Sequence, residues 1–105
     1  MVGGGRRRGT QRLDFFWVPN QFGHPRLGLV VPNHGATAVA RNRLRRRLRE
    51  LARRRVIPGL VPMDLVIRAR ASAYRAEFSD LAADLEGWLQ SLTDPPSGLG
   101  LRQRP

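Results

Sequence analysis

The chain contains no cysteine, no lysine and no apolar run long enough to cross a bilayer. Without cysteine there is no disulfide, no thiolate metal site and no thiol nucleophile, which fits a reducing compartment. No apolar segment follows the basic start as a secretory signal would require, so a cytoplasmic protein with no membrane partner is the expectation. Histidine is scarce: His24 and His34 both fall in predicted turns, and neither has an acidic neighbour at ligand spacing. No Gly-rich phosphate loop precedes a helix, and no serine sits in a nucleophile elbow. Asp64 leads a strand and reads as a cap or salt-bridge partner, and the late carboxylates spread along one helix. The residues therefore offer no catalytic group and no metal site of their own.

What the chain has is arginine. All nineteen basic residues of its 105 are arginine, and the net charge is +11. Residues 1–75 carry +14 and residues 76–105 carry −3. A solubility device would not need that asymmetry; a polyanion-binding surface would. Arginine's planar donor fork suits phosphate and stacks on bases. The length allows one domain with a modest core, and 41% hydrophobic residues argue against wholesale disorder.

Residues 40–55 hold nine of the nineteen arginines and one acid. On a helical wheel Leu44, Leu48 and Leu51 cluster, with Ala40 on the same side. Arg45, Arg49, Asn42, Arg53 and Arg46 fan across the next arc, while Arg43, Arg47, Arg54 and Glu50 take the other flank. Like charges at i,i+4 repel, so the pattern favours an anionic partner over an isolated helix. Thr37 is placed to cap this helix, which runs to about Arg55.

The remaining elements follow from period and punctuation. Residues 1–11 read as a flexible basic arm. Leu13–Val18 is an aromatic and β-branched strand with Phe15 and Trp17 on one face and Phe16 and Val18 on the other. Either both faces are covered or one aromatic row lines a groove. Arg26–Val31 is a second strand, antiparallel to the first given the short connection. Met63–Arg70 is a third, apolar enough to be central. From Tyr74 to Leu92, Phe78, Leu81, Leu85, Trp88, Leu89 and Leu92 recur at helical spacing. Residues 93–105 read as a disordered tail. The order ββαβα gives an α+β fold, a small two-layer α/β sandwich with a three- or four-stranded sheet in a single domain over residues 12–92.

The segment Ala38-Val39-Ala40-Arg41-Asn42-Arg43-Leu44-Arg45-Arg46-Arg47-Leu48-Arg49-Glu50 resembles the signature of the bacterial ribonuclease P protein family. There an Arg-Asn-Arg triplet opens a basic helix. The strands at residues 26–31 and 64–70 and the helix at 81–92 resemble the family's flanking elements, so the resemblance covers residues 12–92. It implies a basic helix joining two parallel strands by a left-handed crossover, where the general rule is right-handed. It implies a subunit that assists a catalytic RNA, with Mg²⁺ bound mainly by RNA and substrate, in removing the 5′ leader of precursor tRNA. The implied partners are ribonuclease P RNA, one per protein monomer, and precursor tRNA. By position, Arg41, Asn42, Arg43, Arg45, Arg46 and Arg49 face RNA, and the wheel adds Arg53. Trp17 aligns with an aromatic of the cleft that holds the single-stranded leader, and Phe15 shares its face. Two departures stand out. The family's first helix, with its leader-contacting phenylalanines, has no counterpart in the Gly/Arg-rich start. Pro32-Asn33-His34-Gly35 replaces a common Ser-Lys-Lys before glycine. The competing reading is a general RNA-binding or ribosome-associated basic protein; a membrane-surface helix ranks last because the leucine stripe is needed for the core.

Overall fold

The computed structural model describes residues 5–92; the first residues of the expected arm and the expected tail at 93–105 lie outside it. Four strands form one sheet in the order β1-β2-β4-β3: β1 Arg6–Gly9, β2 Leu13–Pro19, β3 Arg26–Val30 and β4 Met63–Ala69. Helix α1 spans Ala38–Leu51 and α2 spans Phe78–Leu92. The sheet is mixed, with β2 antiparallel to β1 and β4, and β3 parallel to β4.

Alternation decides which face is covered. Leu13 and Phe15 of β2 and Met63, Leu65, Ile67 and Ala69 of β4 are buried. They pack with Leu44, Leu48 and Leu51 of α1 and Leu81, Leu85 and Trp88 of α2 in one core. Both helices thus lie on the same face. The Trp88 ring stacks flat on Phe15, with centroids 4.9 Å apart, and meets the edge of Trp17 at 5.2 Å. Fully burying an aromatic of this size stabilises the fold by about 1.5–3 kcal/mol. The opposite face of the sheet carries no helix among the described residues.

Three expectations are corrected. Residues 6–9 of the arm are not free chain: they form β1, in register with residues 14–17 of β2. They satisfy an edge of β2 that would otherwise leave its backbone groups unpaired. Thr10 makes the link, its hydroxyl donating to the Leu13 carbonyl and accepting from the Leu13 amide, both at 3.1 Å. The order is therefore βββαβα. Strands β2 and β3 do run in opposite senses, but β4 lies between them; residues 20–25 span that extra strand, about 10 Å across two strand spacings. Finally, α2 starts at Phe78, which is 43% exposed rather than part of the buried stripe. Tyr74 sits in a 3-10 turn, Ala71–Arg75, and its hydroxyl donates to the Pro32 carbonyl.

Candidate RNA-binding surfaces

Helix α1 begins where the Thr37 hydroxyl accepts from the Ala40 amide at 3.1 Å. Its leucines at 44, 48 and 51 are spent on the core, which forces the arginines between them outward. In a regular helix the stripe of Leu44, Leu48 and Leu51 would next reach Arg55. The helix instead widens to a π turn over Ala52–Val56. A π turn adds one residue to the repeat, so Val56 is buried and Arg55 stays exposed. Arg55 then pairs with Glu86 at 2.6 Å, and Arg54 pairs with Glu50 at 3.3 Å.

None of Arg41, Arg43, Arg45, Arg46, Arg47, Arg49 and Arg53 forms an ion pair among the described residues. Asn42, Arg43, Arg46, Arg49 and Arg53 are exposed; Arg41 and Arg45 are half-buried. Arg45, Arg49 and Arg53, one turn apart, wall a groove of about 410 Å³ whose other side is Pro25, Leu27, Leu29 and Ile57. Asn42 and Arg46 crown the helix at i,i+4, and Arg43 lies on the far flank. The sequence-predicted set is thus one helix with three aspects.

Of the two aromatics assigned to a cleft, Phe15 reaches no open surface, whereas Trp17 lines the edge of a hollow on the open side of the sheet. Phe15 is fully buried under Trp88, and Trp17 is half-buried against the same core. The β2 aromatic that alternation turns to the open face is their neighbour Phe16. It lies on the open face beside Val18 and Val66, at a hollow of about 450 Å³ that Arg6 and Arg7 also line. The Arg7 guanidinium stands 5.6 Å from the Phe16 ring centre. Pairing places Arg7, Phe16, Val66 and Gly28 in one row across all four strands. The next rows bring Arg68 beside Asp14, and Arg26 beside Asp64. Alternation in β2 had separated the two rows; only the docking of Trp88 showed which one is covered.

Two carboxylates organise this open face. Asp14 is 7% exposed and accepts from Arg70 at 2.6 and 3.1 Å. The Arg70 hydrogen bond holds the Asp14 carboxyl below the usual range although burial pushes it up, and Arg7 and Arg68 add to the lowering. Asp64 takes a two-pronged contact from Arg26 at 2.8 and 2.9 Å, plus the Asn20 amide at 3.0 Å. Those bonds bring it from an ordinary 3.8 to about 2. Both acids are committed to arginine. Arg7 and Arg68 form no ion pair among the described residues and remain available cations.

No three of histidine, aspartate and glutamate come together among the described residues in a way that would hold a metal. His24 sits in the β2–β3 loop with its Nδ1 3.2 Å from the Pro25 carbonyl oxygen. His34 is in the β3–α1 turn at φ 43°, edge-on to Tyr74. No described helix is long and apolar enough to cross a membrane.

A mixed sheet with helices on one face, an arginine helix beside its edge strand and a cationic open face defines a small α+β polyanion-docking class. The comparisons narrow this. The Ribonuclease P family model matches residues 1–93. The ribonuclease P protein component of Thermobifida fusca is 39% identical over 87% of this chain and 67% of its own. That of Acidothermus cellulolyticus is 41% identical over 72% and 63%. The chain spans about two thirds of the length of these two relatives. The RNase P protein of Thermotoga maritima superposes with a TM-score of 0.74 at 25% identity, over 83% of each chain. The chain belongs to the ribonuclease P protein family, the protein components of a ribonucleoprotein endoribonuclease.

Proposed function

We propose that this chain acts with ribonuclease P RNA to remove the 5′ leader of precursor tRNA in the cytoplasm, one protein monomer per RNA. The observation that carries this is α1: seven arginines on it and its following turn form no ion pair among the described residues, while its leucines are committed to the core. A helix so charged gains from phosphates what it cannot gain from itself. Arg41, Asn42, Arg43 and Arg46 are the contacts to the catalytic RNA, and the groove of Arg45, Arg49 and Arg53 takes its backbone. The single-stranded leader lies on the open face, where bases stack on Phe16 and cover Val18 and Val66. Arg7 and Arg68 meet its phosphates. Phe15 and Trp17 support that strand from beneath.

Mg²⁺ supplies the phosphodiester chemistry in this class of reaction. The described residues of this chain do not fit it, since both carboxylates of the open face are already held by arginine. The ion's ligands are assigned to RNA and substrate phosphates.

The test is cleavage of precursor tRNA by the cognate RNA at low Mg²⁺, with a long and a minimal leader. Stimulation by the wild-type chain should be lost in Arg46→Ala and Asn42→Ala with either substrate. Phe16→Ala should lose about 5- to 150-fold in affinity for the long-leader substrate only. Tight, salt-sensitive RNA binding without any stimulation would overturn this in favour of a general RNA-binding protein.

A further inference from the structure

Phe22 is the most exposed aromatic among the described residues, at 59%, and it is held as if its position mattered. Its amide donates to the Asn20 side-chain oxygen at 2.9 Å. The Asn20 amide group donates to Asp64 and to the His24 carbonyl. Asp64 in turn fixes the Arg26 guanidinium, which lies 4.0 Å from the centre of the Phe22 ring. Gly23, at φ +82°, lets the loop turn back immediately after the ring. An exposed apolar side chain is ordinary by itself. Here an exposed ring is immobilised by a polar network that brings it no core contact.

The location gives the network a use. Val18, Asp64 and Arg26 form one row of the sheet, and Val18 and Asp64 line the same hollow as Phe16. Arg26 projects on the open face, so Phe22 stands at the loop end of the surface that Phe16 occupies in its middle. Arg26 is neutralised by Asp64, which makes the spot poor for phosphate. One side of the ring is covered by the guanidinium, and the exposed remainder is a flat π surface. The unpaired cations Arg7 and Arg68 on the same face draw in a polyanion.

We infer that Phe22, stacked on Arg26, is a platform for one unpaired nucleobase at the loop end of the open face. The inference rests on the leader-binding reading above and extends the leader's path to the β2–β3 loop. Because the platform is fixed before binding, little ordering is lost when a base lands on it.

The experiment uses the full chain assembled with its catalytic RNA, and precursor tRNAs whose leaders lengthen one nucleotide at a time. Wild type, Phe22→Ala, Phe22→Leu, Phe22→Tyr and Phe16→Ala are compared for substrate affinity, with thermal unfolding of each protein alone as a fold control. Phe22→Ala and Phe22→Leu should bind short leaders as wild type does and lose about 5- to 150-fold once the leader reaches the loop. Phe22→Tyr should bind like wild type at every length. A photoreactive uridine at that leader position should crosslink within residues 20–26. If Phe22→Ala, or Phe22→Leu should the alanine variant unfold, matches wild type at every length while Phe16→Ala weakens long leaders, the platform is wrong and the leader track stands. If neither Phe16→Ala nor leader length changes affinity, the open-face reading fails and takes the platform with it.

Discussion

Gly9 shows how much can depend on an absent side chain. A Cβ there would lie 2.5 Å from Arg70 Nη2 and 2.9 Å from Asp14 Oδ1. The guanidinium can swing aside, but that leaves a carboxylate that is 7% exposed without its partner. Gly9→Ala should therefore destabilise the fold by about 1–3 kcal/mol in urea unfolding. Gly5→Ala, with nothing within 4 Å of the added carbon, should not. Arg70→Ala should cost a similar amount, and the Gly9→Ala/Arg70→Ala double variant should cost less than the two together. Nothing in the sequence announced this ion pair, because its members are 56 residues apart and meet only after β1, β2 and β4 have aligned. Phe15 and Phe16 make the complementary case. Their opposite orientation was legible from the strand period; which of them the core would take depended on α2.

At the scale of elements, α1 was legible because leucine spacing and arginine spacing reinforce one another. Its end was not. A wheel of constant step cannot show that the helix stops being regular after Leu51. The reason is physical: continuing it would bury Arg55, and one extra residue in the turn exchanges Arg55 for Val56. A deletion series tests this. Removing Arg54 should let the segment relax into ordinary helix with Val56 still inward, leaving the thermal midpoint near that of wild type. Removing Arg45, in the middle of α1, should rotate Leu48 and Leu51 off the core by about 100° and cost several kcal/mol. Circular dichroism melts of both proteins distinguish the cases. Strand β1 went unread for a different reason. Three arginines and a glycine carry no strand signal, and the segment is ordered by the edge of β2 rather than by its own propensity.

For the whole molecule, charge asymmetry was the most informative property of the sequence, and the structure gives it a shape. The acids of α2 are partly used locally: Asp84 and Asp80 hold Arg12, at 3.3 and 4.0 Å, and Glu86 holds Arg55. Among the described residues, most of the cations without an ion pair lie on α1 with its following turn and on β1, with Arg68 on the open face. Binding to RNA should accordingly be steeply salt-dependent. If six to ten phosphates are contacted, affinity should fall roughly 10³–10⁵-fold between ~50 and ~200 mM salt. Arg46→Ala should reduce the slope by about one unit in a double-logarithmic plot. Sheet order was beyond the sequence, since a loop of six residues is compatible with strands that touch and with strands that admit a third between them.

The helices and the uncovered strands lie on opposite sides of a single sheet. The sheet therefore works as a shim. If a body seats against the arginine helix and a chain lies across Phe16, as proposed, the two are held apart by one sheet with its covering helix layer, a spacing set by the protein. A substitution that thins or swells this core would move one surface against the other without touching either. Misplaced cutting, rather than weakened binding, would be its mark.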